Sequence, residues 1–333
     1  MKQTPEPMLQ PSVRFARRKV TRPDVSVVIP TRDRWQLLLR AVRTALGQRG
    51  VTFEVIVADD GSQPSAPSQP ILSDPRVTVL RQAPLGVAAA RNVGARHAAG
   101  NWLAFLDDDD IWAPHKLASL MTAAIGAEAK FAYSSALMIT EDLAPIVIDP
   151  APPTEGLLRR MLERNAIPGG GSNVVVDRAL FEQVGGFDES FSFLADWDAW
   201  LRLARAAHPV CVAEPLTAYS CHTENWVLRD KAAVESDYRR LAEKHAELAD
   251  RHGVAPDRLH YDRYVAGSYL RVGRRSAAAR RYMQAGLRER DFRTVARGIV
   301  ALVVPRFLAR LRRSIRPQAP AWLSAYEPIA PKP

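Results

Sequence analysis

The chain has 333 residues, of which 47% are hydrophobic, and a formal net charge of +10. This length suits one large domain with an extension, and the apolar fraction is enough for a sizeable core, so we expect no global disorder. Two cysteines are too few for a disulfide framework or a structural zinc site and fit a reducing compartment. No apolar run could span a bilayer or act as a secretory signal, so we expect a cytoplasmic protein.

Charge is distributed unevenly along the chain. Basic residues are concentrated in 14–22 and 271–316, whereas the acidic clusters lie in the middle. We expect residues 1–23 to form a basic, mobile tail. The separation predicts an acidic reaction centre flanked by basic docking surfaces.

Strands and helices alternate from residue 25 onward. A buried strand at 25–30 is followed by a helix that Asp33 is expected to cap, with Gln36 completing a capping box. Further strands are predicted at 53–58, 77–80 and 102–106, and further helices begin near Gly86 and Pro114. This alternation predicts an α/β fold with a doubly wound, mainly parallel sheet. The pattern loosens after about residue 126, and the chain is predicted to be helical from about residue 227.

Acidic residues directly follow two of the predicted strands. Asp59 and Asp60 follow the second strand, and the run from Asp107 to Asp110 follows the fourth. Ligands of open parallel sheets bind where the strands end, so both clusters should reach one crevice. Four successive aspartates repel one another, and a bound Mg²⁺ or Mn²⁺ sharing phosphate oxygens would relieve that repulsion. The alternative is a solvated acidic loop, which the preceding apolar strand disfavours.

In these segments the chain resembles family 2 glycosyltransferases, which have the GT-A fold with a Rossmann-like, doubly wound sheet. The matching stretches, in the order of the family, are 25–31, 57–62, 86–92, 105–110, 185–188 and 195–198. Each motif is weak by itself, but the ordered set is specific.

The resemblance implies roles for individual residues on the donor side. Asp59 or Asp60 would hydrogen-bond the donor base, usually uracil, with Pro30 and Thr31 lining the same pocket and Arg91 near the nucleotide. The residues expected to bind the nucleotide sugar are Pro30, Thr31, Arg34, Asp59, Asp60, Arg91, Asp107 and Asp108.

The resemblance also implies a metal site. Asp107 and Asp109 match the family's Asp-x-Asp motif, and Asp109 is the expected direct ligand of Mn²⁺ or Mg²⁺. His222 matches a histidine that approaches the metal or the diphosphate in many members, although it could equally be an ordinary, partly buried histidine.

The catalytic base implied by the resemblance is Asp196, the second acid of a Glu-Asp motif whose first position is Ala195 here. A carboxylate next to an acceptor hydroxyl can take its proton as the new bond forms, and direct displacement inverts the anomeric configuration. The Gln-x-x-Arg-Trp motif of processive members does not follow, which predicts a non-processive enzyme. The alternative role for Asp196 is a helix N-cap.

Acceptor binding is expected from Gly170, Gly171 and Trp197. The glycines could form a flexible acceptor loop or only a turn, and Trp197 could stack on a sugar or pack in the core. The acceptor itself would be a glycan or a lipid-linked molecule, in the synthesis of a polysaccharide, a lipopolysaccharide or another glycoconjugate.

The implied domain organisation follows from these assignments. After the tail 1–23, residues 24–226 would form the GT-A catalytic domain, with a nucleotide and metal half at 24–125 and an acceptor half at 126–226. Residues 227–333 would be a C-terminal helical extension.

Residues 293–316 mix apolar and arginine side chains at helical spacing. Such a basic amphipathic segment can lie on an anionic membrane, here the inner face of the plasma membrane, or pack its apolar face on the catalytic domain. We expect the tail and the C-terminal helices to serve localisation and to be dispensable for the chemical step.

Other classes of protein fit less well. A sugar-phosphate nucleotidyltransferase usually has a glycine-rich loop after the first strand, which the stretch 30–34 lacks, and a phosphatase would need threonine in place of Ile111. The central acids would repel nucleic acid, so no nucleic-acid partner is expected. A nucleotide-sugar-binding protein without catalytic activity remains an alternative, and the sequence gives no oligomeric state.

Overall fold

The structure of the protein is a computed structural model, which describes residues 22–221, 230–303 and 317–328. His222, residues 1–21 of the expected tail and residues 304–316 of the amphipathic segment therefore lie outside the described residues. In the part that is described, nine strands form one sheet with the order β3-β2-β1-β4-β8-β6-β9-β5, and β7 pairs with β6.

The first half of the sheet is parallel. β1 pairs with both β2 and β4, and β2 pairs with β3, always in parallel. The elements of this half are β1 Val25–Thr31, α1 Trp35–Leu46, β2 Phe53–Asp59, β3 Val77–Arg81, α2 Val87–His97 and β4 Trp102–Phe105. The predicted alternation of strands and helices is confirmed here.

The second half of the sheet is mixed. β8 is antiparallel to its neighbours β4 and β6, β9 is parallel to β6, and the short β5 is antiparallel to β9. The elements are β5 Ile111–Trp112, α3 Lys116–Gly126, β6 Phe131–Thr140, β7 Pro145–Asp149, α4 Leu157–Glu163, β8 Val174–Asp177, α5 Arg178–Gln183, α6 Ala195–Ala206 and β9 Pro209–Cys221. Short 3-10 turns lie at Pro70–Ser73, Gly170–Asn173 and Ala321–Ala325.

The described chain after β9 consists of helices joined by short turns and loops, followed by the last 3-10 turn. The helices are α7 Lys231–Lys244, α8 Ala246–Arg251, α9 Arg258–Arg271, α10 Arg275–Arg288 and α11 Phe292–Val303. Tyr261 of α9 lies 4.4 Å from Tyr238 of α7, ring centre to ring centre, and Tyr238 lies 6.2 Å from Trp197 of α6. This aromatic contact joins the helical region to the core of the sheet domain.

The sheet is covered on both faces, which explains its unbroken apolar strands. All seven residues of β1 are buried. Because side chains alternate along a strand, Val27 packs on the side of α1 and α3, whereas Val28 packs with Phe105 and Trp200 on the other side. Strands buried in this way carry no polar alternation, so the sequence pattern marks where they are but not which face is which.

The expected cap of α1 is wrong. The helix begins after Arg34, and no side chain caps it. Asp33 has a left-handed backbone with φ of 58°, and its Oδ1 accepts from the Gln63 amide at 2.6 Å. The carboxylate therefore ties the loop after β1 to the loop after β2.

None of the helices in the described residues is both long enough and apolar enough to cross a bilayer.

Candidate active site

A cavity of about 1230 Å³ opens where the strands of the sheet end. It is lined by residues from both halves of the sheet domain and from the helical region. Of the predicted site residues within the described chain, all but one line this cavity: Pro30, Thr31, Arg34, Asp60, Arg91, Asp107, Asp108, Asp109, Gly170, Gly171, Asp196 and Trp197. The exception is Asp59.

The two acids after β2 have different environments. Asp59 is 1% exposed, and its carboxylate accepts from the Ser62 amide at 2.8 Å and pairs with Arg81 at 3.0 Å. Asp60 lines the cavity, and its oxygens accept from the amides of Leu85 and Gly86 at 2.8 and 3.0 Å. Asp59 therefore shapes the loop, and Asp60 is the acid placed to meet a ligand.

Two aspartates of the acidic run face the cavity and are neutralised by arginines. The Asp107 carboxylate forms an ion pair with Arg91 of α2. The Asp109 carboxylate pairs with Arg34 at 2.8 Å, and these two aspartate side chains are 23% and 14% exposed. This alternation explains how four neighbouring carboxylates are accommodated, since only every second side chain is partly exposed.

The other two aspartates of the run are buried, and their carboxylates accept hydrogen bonds from neighbouring elements. Asp108 accepts from the Thr31 hydroxyl at 2.7 Å and forms an ion pair with Arg34. Asp110 accepts from the Ser172 hydroxyl at 2.5 Å and from the Ser220 amide at 2.9 Å. These bonds join the run to β1, to the turn before β8 and to β9.

The electrostatics of the run reflect its burial. Burial raises the pKa of Asp108 to about 7, against the opposing effect of Arg34. Burial, together with the charges of Asp109 and Asp107, raises the pKa of Asp110 well above its usual range. Desolvation lowers the pKa of Arg34, but the three neighbouring aspartates outweigh it and raise that pKa. The positive charge of Arg34 therefore stabilises the cluster of neighbouring aspartates.

A divalent cation fits this donor set only if it shares its shell with a ligand. Among the described residues, no group of three or more histidine, cysteine, aspartate or glutamate side chains is arranged to hold a metal. Mg²⁺ and similar hard cations commonly take one or two carboxylates and complete their shell with phosphate oxygens and water. The exposed carboxylates of Asp107 and Asp109 match that requirement, whereas the buried Asp108 and Asp110 do not.

Asp196 faces the same cavity from the first turn of α6. Its Oδ1 accepts from the Trp197 amide at 2.8 Å, while the N-cap of the helix is Leu194. The N-cap alternative is therefore wrong, and the carboxylate of Asp237 binds the Leu194 amide at 3.2 Å instead. Burial raises the pKa of Asp196, and Arg91 opposes this rise.

The nearby acids do not offer a second base. The Asp198 carboxylate is fully buried and pairs with Arg202 at 2.7 Å, Lys244 at 2.9 Å and His245 at 2.8 Å. Desolvation raises the pKa of Asp198, but its bonds to these three partners lower it below the usual value. Asp188 likewise has a lowered pKa, because bonds to Lys244 outweigh its desolvation. Neither acid lines the cavity.

The three glycines before Ser172 form an ordered turn. Gly170 has a left-handed φ of 55°, and a β-carbon at Gly171 would lie 2.4 Å from Nη2 of Arg91. A β-carbon at Gly170 would lie 3.4 Å from Oδ2 of Asp196. The turn interpretation is the one the structure supports, and the absence of side chains lets the backbone approach both charged groups.

Trp197 takes the core-packing role. The residue is 3% exposed, and its indole N–H donates to the Met161 carbonyl at 2.7 Å. Little of its ring is available to stack on a sugar. Trp200 is fully buried and donates to the Gly170 carbonyl at 3.3 Å, so it supports the glycine turn from beneath.

Several residues at the site were missed in the sequence. Asn165 binds the Asp196 carboxylate, and Tyr219 of β9 lines the cavity. The helical region contributes His260, Arg263, Tyr264, Arg271 and Arg297 to the wall. The expectation that the C-terminal helices are dispensable for the chemical step stays a prediction, although these five residues line the cavity. The density of arginine after residue 271 was the only signal.

The family follows from comparison with known proteins. Residues 26–185 match the model of Glycosyl transferase family 2. An uncharacterized glycosyltransferase of Haemophilus influenzae is 31% identical over 205 residues, which cover 60% of this chain and 69% of that protein. The chain belongs to glycosyl transferase family 2. The predicted family membership is thereby confirmed, and glycosyltransferase activity is the activity of this family.

The chain is also similar to two glycosyltransferases whose names state what they use or were solved with. The Escherichia coli protein UDP-Glc:alpha-D-GlcNAc-diphosphoundecaprenol beta-1,3-glucosyltransferase WfgD is 27% identical over 183 residues, covering 54% of this chain and 70% of that protein. The solved structure of mannosyltransferase PcManGT from Pyrobaculum calidifontis, in complex with GDP-Man and Mn²⁺, superposes with a TM-score of 0.52 at 19% identity. That alignment covers 92% of this chain and 86% of PcManGT, and it confirms the GT-A fold with a C-terminal helical part.

Proposed function

We propose that the protein transfers a sugar from a UDP-sugar to a hydroxyl of a glycan or lipid-linked acceptor, with inversion and one sugar at a time. The observation that carries this proposal is the convergence of Asp60, the exposed pair Asp107 and Asp109, and Asp196 on one cavity. A base pocket, a metal site and a proton acceptor are the three parts that such a transfer needs.

The donor half binds the nucleotide diphosphate. Asp60, with Pro30 and Thr31 beside it in the cavity wall, accepts a hydrogen bond from the base. Asp109 and Asp107 would hold Mn²⁺ or Mg²⁺, which would supply positive charge against the negative charge of the leaving diphosphate. The relative named WfgD uses UDP-Glc by its name, and PcManGT was solved with Mn²⁺, which supports both assignments.

Asp196 acts as the general base. Its carboxylate lines the cavity and has a raised pKa, so it accepts a proton more readily than an exposed aspartate does. Asn165 binds this carboxylate and thereby fixes its direction. Removal of the acceptor proton leaves an oxygen that attacks the anomeric carbon directly, and the configuration inverts.

The pathway and location are parts of the same proposal. WfgD, whose name specifies a diphosphoundecaprenol acceptor, supports a role in polysaccharide or related glycoconjugate synthesis. Helix α11 exposes Ile299 and Leu302 by 52% and 50%, next to the exposed Arg293 and Arg297. We assign this face to peripheral contact with an anionic membrane on its cytoplasmic side. The division of the chain into a tail (1–23), a catalytic domain (24–226) and a helical extension (227–333) is also part of the proposal.

The donor and metal assignments are tested by calorimetry with UDP. We expect tight binding with Mn²⁺, weaker binding after chelation and weaker binding in Asp109→Ala, because the diphosphate loses its bridging cation. Asp250→Ala, which removes an exposed aspartate of α8 away from the cavity, should bind as the parent does. Equal affinity in all conditions would remove the metal from the proposal.

A single-turnover experiment tests whether the protein is an enzyme. Release of UDP from a UDP-sugar would distinguish an enzyme from a binding protein without activity.

A further inference from the structure

The helical region brings a tyrosine and an arginine next to the proposed base. Tyr264 and Arg271 both belong to α9 and line the cavity. A β-carbon at Gly170 would lie 3.4 Å from Oδ2 of Asp196 and 3.7 Å from the ring of Tyr219 of β9, so these two side chains flank the same turn. The Arg271 guanidinium lies 5.8 Å from the centre of the Tyr264 ring. Tyr264, Arg271 and Asp196 therefore line one cavity.

A second arginine approaches the base from another element. Asn165, which binds the Asp196 carboxylate, directly follows Arg164 at the end of α4, and Arg164 also lines the cavity. The Arg164 side chain is exposed. Desolvation lowers the pKa of His260 in this wall, and the nearby Arg164 lowers it further. Two elements thus place arginines on the part of the cavity that surrounds Asp196.

These two arginines are not held in ion pairs in the described part of the chain, although Arg164 lies near enough to Asp149 to influence the pKa of that carboxyl. Within the described chain, neither Arg164 nor Arg271 forms a salt bridge, and Arg271 donates only to the Ser268 hydroxyl at 2.7 Å. Arg263, by contrast, is paired with Asp291.

The acids on the same wall have other interactions. Asp257 caps α9 through the His260 amide, and Asp230 caps α7 through the Ala233 amide. Burial raises the pKa of Asp149, and Arg164 opposes this rise. In the described residues none of these acids forms a salt bridge with Arg164 or Arg271, so both guanidinium groups remain accessible to a ligand.

The donor diphosphate does not account for this charge. The acidic run has its own arginines, Arg34 and Arg91, in addition to the proposed metal. In the described residues, no hydrogen bond or salt bridge joins Arg164 or Arg271 to the four aspartates of the run. An anion bound here would lie beside the acceptor hydroxyl that Asp196 deprotonates.

We propose that Arg271, Tyr264 and Arg164 bind an anionic group of the acceptor, a phosphate or diphosphate attached to the sugar that receives the transfer. This inference rests on the proposed function. The guanidinium groups donate charge-assisted hydrogen bonds to the phosphate oxygens, and the phenol adds a neutral one. The helical region is then the part of the protein that selects acceptors, by requiring a charge next to the reacting sugar.

The test uses the full chain saturated with UDP and Mn²⁺. Hexose 1-phosphates and the corresponding methyl hexosides differ mainly in the phosphate, and their affinities are compared by calorimetry. We expect the phosphorylated member of a pair to bind at least about tenfold more tightly, because charge-assisted bonds are the stronger ones. Arg271→Gln and Arg164→Gln should each remove about tenfold of that affinity. Arg274→Gln, an exposed arginine that does not line the cavity, is the matched control and should change nothing.

Other outcomes would overturn the inference. Equal affinity for the two members of every pair, or unchanged phosphate binding in both variants, would show that no anion is bound here. Loss of UDP affinity in Arg271→Gln would assign this arginine to the donor instead. Displacement of the sugar phosphate by phosphatidylglycerol vesicles, but not by phosphatidylcholine vesicles, would identify a lipid headgroup site. If UDP itself does not bind, the proposed function fails, whereas UDP binding without sugar-phosphate binding removes only this inference.

Discussion

Asp196 and Asp198 lie two residues apart on α6, yet their carboxylates have opposite environments. Two steps along a helix rotate a side chain by about 200°, so neighbours at this spacing point to different sides. Asp196 faces the cavity with a raised pKa, whereas Asp198 is buried among Arg202, Lys244 and His245 with a lowered one. The same residue type is therefore placed for the proposed chemistry at one position and for stability at the other.

Substituting each of these acids by asparagine separates the two roles. In Asp196→Asn the proton acceptor is lost but the shape is kept, so turnover should fall by about two to four orders of magnitude. Donor affinity and the melting temperature should change little. In Asp198→Asn, loss of a buried charge leaves its cationic partners unpaired, and the free energy of unfolding should drop by roughly 2–4 kcal/mol. Transfer rates, UDP affinity and melting curves are measured on both variants. Normal transfer by a folded Asp196→Asn would exclude this residue as the base.

At the scale of elements, a buried polar network fixes the glycine turn beneath the cavity. Lys116 of α3 is fully buried, and its ammonium group donates to Oδ1 of Asn173 at 2.9 Å and to the Thr217 hydroxyl at 2.8 Å. Burial lowers the pKa of Lys116 well below its usual value, while Asp110 opposes this effect. One side chain thus joins α3, the turn Gly170–Asn173 and β9.

Lys116→Met tests whether this network supports the site. Methionine has a similar length but leaves the Asn173 and Thr217 oxygens without their donor, so the free energy of unfolding should fall by about 1–3 kcal/mol. Turnover should fall as well, because the turn that approaches Arg91 and Asp196 loses a support. Lys130→Met, which breaks a surface pair with a side chain 59% exposed, should cost less than about 1 kcal/mol. Urea unfolding gives both values, and equal stability of the two variants would contradict the argument.

At the scale of the whole molecule, α11 combines the two interpretations of the amphipathic segment. Its buried face packs Gly298 next to Met283 of α10, and Ala301 is 8% exposed. Its other face exposes Phe292 by 78% and Ile299 by 52%. The helix both packs on the protein and presents an apolar surface bordered by arginines, and Arg297 also lines the cavity.

Vesicle flotation tests the exposed face of α11. The chain should float with phosphatidylglycerol vesicles at low salt, and the bound fraction should fall as salt screens the arginines. Replacing Ile299 and Leu302 by serine should reduce binding several-fold, because less apolar area enters the interface. Ile148→Ser, at an apolar position of β7 that is 39% exposed, serves as the control. Absence of flotation at low salt, or equal loss in the control, would leave this face without a membrane role.

The sequence predicted the sheet and most of the cavity because parallel strands bring their carboxyl ends to one edge. That the acids after β2 and β4 reach one cavity follows from that rule, whereas Asp107 and Asp109 were singled out by the resemblance to the family's Asp-x-Asp motif. The choice between Asp59 and Asp60 did not follow, since a strand buried on both faces carries no pattern that orients its last residues. Tyr264 and Arg271 were missed for a different reason. They reach the site through the way α9 docks on the sheet domain, and nothing in their own helix specifies that docking.

The pairing of β5 with β9 also has a consequence for protein synthesis. Ile111 and Trp112, directly after the acidic run, find their strand partners at Ala218 and Thr217, and the Ser220 amide binds Asp110 from 110 positions later in the chain. At about 5–20 residues per second, a ribosome takes roughly 5 to 20 seconds to cover that interval. During this time the four aspartates have been made, but the strand that fixes them has not. The nascent N-terminal half therefore emerges without the contacts that hold the acidic run in place.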